Sequence, residues 1–184
     1  MRNLMVWSFC LIFAPEVVFG QANHWESAIA AAEIASGHGQ YREAESQFVR
    51  AEQEAESFGQ FDHRLAMTLN NLGKLDLEEN RLDDARRHCE EALQAYRQLA
   101  QKEPGTYLPD LATTLYNLGY VDQQQKRRDE SRQNLEEALK IYRQLAQKNP
   151  RAYLGDLQDT ASLLGTLGGS GTTSKSPGGT ARRP

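Results

Sequence analysis

Histidine, cysteine, aspartate and lysine are the residues here that could carry chemistry, and their spacing decides which can act together. His24, His38, His63 and His88 show no ligand spacing such as H-x3-H beside a carboxylate or a cysteine pair, so no metal site is expected. His88 and Cys89 are adjacent, which on a helix points their side chains about 100° apart. Surface histidines are the expectation. Cys89 shares a stripe with Ala85, Ala92 and Tyr96 at spacings of 4, 3 and 4, which reads as a small buried hydrophobe rather than a reactive thiol. Gly169–Ser176 (GSGTTSKS) resembles a phosphate loop only superficially. It lacks the glycine before Lys175, follows no strand and opens no helix. Asp76 and Asp122 could be shifted acids if buried. Capping or salt-bridging near a turn is the expected role. Glu78-Glu79 and Glu90-Glu91 read as solvated helix faces. No triad, metal set or cofactor site emerges, so the sequence points to a non-catalytic protein without a cofactor.

The elements that hold these residues follow from a repeat. Ala92–Leu111 (ALQAYRQLAQKEPGTYLPDL) returns as Ala138–Leu157 (ALKIYRQLAQKNPRAYLGDL), identical at 14 of 20 positions after a shift of 46. Leu72-Gly73, Leu118-Gly119 and Leu164-Gly165 stand 46 apart in turn. A fixed period of this size marks an array of supersecondary units. Each unit leaves an apolar face for its neighbour to bury.

Apolar content of 39% with six prolines in 184 residues suits helices better than a sandwich or barrel. The net charge of −4 is uneven: residues 21–165 carry −7 and the last 19 residues +3. An acidic body argues against a general nucleic-acid binder, which needs a basic face. It does not exclude a local basic patch.

Residues 1–22 read as a secretory signal. Arg2 precedes an 11-residue apolar run, Leu4–Ala14, which Pro15-Glu16 interrupts. That run is short of the roughly 20 residues a bilayer demands. Cleavage after Gly20 and after Ala22 both fit. Export to the periplasm or medium is expected, with no membrane span after cleavage; an uncleaved N-terminal anchor is the alternative. Cleavage removes Cys10 and leaves Cys89 alone, so no internal disulfide can form.

Apolar periodicity predicts helices over Trp25–Ser36, Tyr41–Ser57, His63–Glu79, Leu82–Lys102, Leu108–Lys126, Asp129–Lys148 and Leu154–Leu167. Pro104-Gly105 and Asn149-Pro150 read as stops, and Pro109 as a first-turn proline. The seventh helix should cover the apolar face of the sixth. The period then gives way to a Gly/Ser/Thr-rich cationic tail, 168–184, read as disordered.

Helix pairs with Leu-Gly in the first helix and Ala-x3-large in the second resemble the tetratricopeptide repeat (TPR). Leu69, Leu72-Gly73, Ala85 and Cys89 fill those places in the second repeat; Leu115, Leu118-Gly119, Ser131 and Leu135 fill them in the third. Ala28, Ala31-Ala32, Ala35, Ala44 and Phe48 match more loosely in the first. The 46-residue period, against the usual 34, and phrases such as YLPDLATTLYNLG resemble the long-repeat bacterial and kinesin-light-chain-like branch. Asp76 and Asp122 stand where the family prefers Tyr, and Arg128 where Tyr or Leu would pack, so the third repeat should pack less tightly.

The resemblance implies an all-α helical-hairpin solenoid, a right-handed superhelix of about three and a half repeats. The repeats are about 25–60, 61–106, 107–152 and a partial 153–167, within an array over 23–167. It also implies a concave groove that takes a protein or peptide ligand. The family's inward places fall on Met67, Asn70, Asn71 and Lys74, then on Thr113, Tyr116, Asn117 and Tyr120. Asn71 and Asn117 match an asparagine that holds a peptide backbone in some members; tying helix to helix is the competing role. The carboxylate-clamp places hold Ile29, Glu33, Asn70, Thr113 and Asn117, with no lysine or arginine among them. A truncated remnant of a longer signalling array is the alternative to a binding scaffold.

Overall fold

The computed structural model describes residues 15–168, with side chains from His24 onward. It contains α1 (Pro15–Gly37), α2 (Tyr41–Glu56), α3 (His63–Glu78), α4 (Leu82–Lys102), α5 (Pro104–Gln124), α6 (Arg128–Lys148) and α7 (Pro150–Gly168). Residues 1–14 of the expected signal and the segment after Gly168 lie outside the described residues. Among the described residues no helix is long and apolar enough to cross a membrane.

Three helix starts differ from expectation. α1 begins at Pro15, ten residues before Trp25. α5 begins at Pro104 and α7 at Pro150, so one residue, Glu103 or Asn149, separates each from the helix before it. Each proline both ends one helix and starts the next. Its missing N–H costs nothing at a first helical position, and its fixed φ is already helical. Pro109 therefore sits inside α5, not in its first turn. Its ring faces the carbonyl four residues back, which belongs to Gly105, where no side chain adds to the crowding.

Within each repeat a three-residue link joins the two helices: 38–40, 79–81 and 125–127. The middle residue is left-handed in each, at φ 70° for Gly39, 60° for Asn80 and 63° for Lys126. The next N–H reaches back five residues, Gln40 to Ala35, Arg81 to Asp76 and Arg127 to Asp122, at 2.8–2.9 Å. This is a Schellman closure. The same residue then opens the following helix, its carbonyl accepting from Ala44, Ala85 or Ser131 at 2.9 Å.

Asp76 and Asp122 sit at those closures and are 2% and 1% exposed. Arg81 binds the Asp76 carboxylate at 2.6 and 2.9 Å, and Arg127 binds Asp122 at 3.1 Å. The expected salt-bridging role holds. His88 departs from the surface expectation: it is buried, and its Nδ1 donates to Asp76 Oδ2 at 2.7 Å. One period later Asn134 donates to Asp122 Oδ2 at 2.9 Å. Arg86 also stands 3.7 Å from Asp122, while Gln40 occupies its place one period earlier. A histidine on Asp76 thus stands where a neighbouring arginine and an amide serve Asp122.

The stripe between the two helices of a repeat leaves no room for a side chain at Gly73 or Gly119. A Cβ on Gly73 would lie 2.6 Å from Cys89 Sγ, and one on Gly119 would lie 2.7 Å from Leu135 Cγ. Cys89 is buried, as its stripe predicts, and burial pushes its thiol up to about 12. Ser131 and Leu135 are fully buried, and the Ser131 hydroxyl donates to the Gly119 carbonyl at 2.7 Å. The third repeat therefore closes as the second does. Arg128 stays on the surface. Leu75, Val121 and Leu167, one period apart, are all buried. Gly165 differs from its two counterparts: nothing stands within 4 Å of the place its Cβ would take.

Consecutive helices pack side by side, with α7 against α6, and α3 also meets α5 as α5 meets α7. The odd-numbered helices form a continuous row. Thr68, Thr114 and Thr160 are buried along it, each hydroxyl donating to the carbonyl four residues back at 2.7–2.9 Å. Trp25 Nε1 donates to Thr68 at 3.0 Å, and Gln123 to Thr166 at 2.6 Å.

The equivalent glycines should respond oppositely to alanine. Gly73→Ala should cost about 1–3 kcal/mol through overpacking, and Cys89→Ala should recover part of that loss. Gly165→Ala should gain about 0.5–1 kcal/mol, the ordinary helix preference. Lys126→Gly should gain about 1 kcal/mol by relieving a left-handed side chain, and Asn80→Gly less, because asparagine tolerates that conformation. His88→Ala should cost about 1.5–3 kcal/mol, the worth of a hydrogen bond to a charged group; His88→Asn should cost under half as much, because Asn134 performs that task one repeat on. Denaturant melts of each variant read all of these.

Candidate functional site

The row of α3, α5 and α7 presents side chains that packing does not consume. Polar positions on these helices recur at the 46-residue shift, Asn71 with Asn117 and Thr113 with Asp159. They surround a cavity of about 340 Å³ lined by Asn70, Asn71, Lys74, Thr113, Tyr116, Asn117, Tyr142, Asp156, Asp159 and Thr160. Six of the eight inward places proposed from the sequence lie on this wall. Met67 does not; it is half-buried against the core. Tyr120 is 37% exposed and lies off the cavity.

Part of the asparagine set is already engaged. Asn117 Nδ2 donates to Asn70 Oδ1 at 3.2 Å. Thr114 Oγ1 stands 3.1 Å from the same oxygen and 2.9 Å from the Asp110 carbonyl. Its single hydroxyl hydrogen is divided between the two. Asn117 thus takes the helix-tying role, with Asn70 rather than Asn71 as its partner across α3 and α5. Each keeps spare capacity, the amide nitrogen of Asn70 and the amide oxygen of Asn117. An amide that donates on one side and accepts on the other matches a peptide unit.

Tyr142, Asp156, Asp159 and Thr160 also line the wall and were not among the sequence candidates. Tyr142 comes from α6. Its hydroxyl lies 3.0 Å from Thr113 Oγ1, and burial pushes its phenol up to about 12. The aspartates come from α7, where the period carries Asp110 to Asp156 and Thr113 to Asp159. That shift is the signal that could have found them. Desolvation and then Asp159 raise the Asp156 carboxyl. Desolvation raises the Tyr116 phenol, with Asp159, Tyr120 and Asp156 adding to it. The α7 end of the wall is thus electronegative. Among the described residues, Lys74 is the one cation on this wall. It also lines a second cavity of about 270 Å³ beside Glu33, Ser36, Asn71 and Glu78.

The residues that first suggested catalysis sit elsewhere. Asp76 and His88 line a separate cavity with Glu45, Glu52, Arg81 and Arg87, between α2, α3 and α4. Their short contacts are spent closing the repeat. The Asp122 carboxyl is raised by desolvation, which Arg86 and Arg127 oppose.

Comparison with known proteins agrees with this architecture. Two family models described as tetratricopeptide repeat match, one over residues 65–103 and one over 97–144. No curated protein matches. Among solved structures, BtubC (BKLC) from P. vanneervenii is similar at 16% identity and a TM-score of 0.54, over 92% of this chain and 82% of that one. At that identity the likeness speaks for the fold alone. Such repeats build protein–protein interaction modules and are generally non-catalytic. Period, Leu-Gly closures, helix order and both family matches agree: the chain carries tetratricopeptide repeats over residues 65–144 within an all-α solenoid fold.

Proposed function

We propose that the protein is a non-catalytic scaffold that holds a segment of a protein partner, an extended peptide or a helix, against α3, α5 and α7. What supports this reading is one coincidence. Six of the eight places that the repeat pattern turns inward meet around one cavity lined by amide, phenol, hydroxyl and charged side chains. Asn71, with the spare groups of Asn70 and Asn117, suits a peptide backbone, and Tyr116 offers an amphipathic ring.

A second reading takes these repeats as the remnant of a longer signalling array that has lost its effector domain. The break of the 46-residue period after Leu167 favours it. We further propose that the protein works outside the cytoplasm, on the strength of the apolar run Leu4–Ala14 after Arg2.

The test is an affinity pull-down with residues 23–184 against a variant carrying Asn71→Ala, Asn117→Ala and Tyr116→Ala. Each hydrogen bond is worth about 0.5–1.5 kcal/mol net, so the two asparagine changes should weaken a ligand about 5- to 150-fold. Because Asn117 also ties α3 to α5, circular dichroism must show the variant still helical. A partner retained equally by both proteins places the site elsewhere. A protein that binds nothing and fails to melt cooperatively supports the remnant.

A further inference from the structure

We propose that the partner segment is cationic: it seats a lysine or arginine beside Asp156 and Asp159 while its backbone runs along the asparagines of α3 and α5. This rests on the groove reading above and adds the charge of the ligand.

The argument is charge complementarity. The two neighbouring cavities of the inner row are lined by four carboxylates, Glu33, Glu78, Asp156 and Asp159, and by one ammonium, Lys74. On the outer helices and at the turns, several acids are matched by arginines. Asp76 meets Arg81, Asp122 meets Arg127, Glu90 meets Arg86 and Glu137 meets Arg97. Among the described residues, no ion pair of this kind includes Asp156 or Asp159. They stand three apart on α7, where like charges are neighbours and repel. The cavity wall removes part of the water around Asp156, and Asp159 adds to the cost of its charge. A cation lowers that cost; a ligand carboxylate raises it.

The rest of the wall selects among cations. No third aspartate, glutamate, histidine or cysteine joins the pair to make a metal cluster among the described residues. The Tyr116 ring lies close enough for both aspartates to act on its phenol, and an aromatic face attracts guanidinium and ammonium groups. The amides lie on α3 and α5 and the acids on α7. A ligand that uses both must carry a backbone and a cationic side chain together, which describes a basic peptide rather than a small amine.

Fluorescence anisotropy at low salt tests this with two labelled nonapeptide probes, alternating Ala-Lys and alternating Ala-Glu. The lysine probe should bind at least tenfold more tightly than the glutamate probe. Asp156→Asn with Asp159→Asn should weaken the lysine probe about fivefold to tenfold, the worth of two partly exposed ion pairs. Glu91→Gln with Glu136→Gln removes the same charge from exposed places on α4 and α6 and should leave binding within twofold. Equal binding of the two probes, or equal losses from both charge variants, overturns the proposal. If Asn71→Ala with Asn117→Ala releases the lysine probe and the aspartate variant does not, the groove reading stands and the cationic assignment falls. If neither variant changes binding, both fall.

Discussion

A buried carboxylate at the last turn of a first helix is the interaction on which the second and third repeats depend. The carbonyl of Asp76 accepts the N–H of Arg81, and its side chain accepts the guanidinium of the same residue. Asp122 and Arg127 repeat the arrangement. One pair of residues is thus joined by backbone and by side chain across a three-residue turn. The arginine also caps the next helix, so the angle between the two helices follows from the local chain. The burial is unequal: the aspartates are almost fully enclosed, while the arginine side chains are about one-third exposed. An arginine left alone can reach water, whereas a carboxylate left alone cannot. The charge that must be compensated is therefore the acid. That accounts for the extra donors, His88 on one aspartate and Asn134 with Arg86 on the other.

The array was legible because its period is a contact rule. Leu75, Val121 and Leu167 fill equivalent places, and Gly73 and Gly119 admit Cys89 and Leu135 at distances no Cβ permits. Helix starts were less legible, because a proline that stops one helix is also a good first residue of the next. His88 was misread for a related reason. Helical spacing puts it beside the buried Ala85, Cys89 and Ala92, yet a lone histidine there signals burial only once its acceptor is known. That acceptor, Asp76, lies on another helix. The cavity wall was legible on α3 and α5, where the family pattern names inward places. It was not on α7, where covering α6 explains the apolar residues and says nothing of Asp156 and Asp159.

The asparagines show why a helix-tying role and a binding role need not compete. A side-chain amide has two donors and an acceptor with two lone pairs. Asn117 spends one donor on Asn70, which fixes its plane. The remaining oxygen then points from a held group rather than from a free rotor. Holding a polar group before the ligand arrives reduces the ordering cost of binding. Thr113 and Tyr142 do the same from the other side of the cavity, each hydroxyl positioned by the other. The polar groups of the wall are thus already organised by contacts within and between repeats.

That organisation is weakest on α7. In a solenoid each unit is stabilised by its neighbours, so a helix covered on one side gains less than an inner one. α7 packs on α6 and touches α5, and among the described residues nothing covers the faces of Gly165 and Ala161 that correspond to sealed positions on α3 and α5. Thr160 and Leu167 are its buried anchors. The helix that carries both cavity aspartates is therefore held, among the described residues, by few buried side chains. A ligand that joins α7 to α5 adds contacts between these helices, so binding at this wall and the stability of α7 rise together.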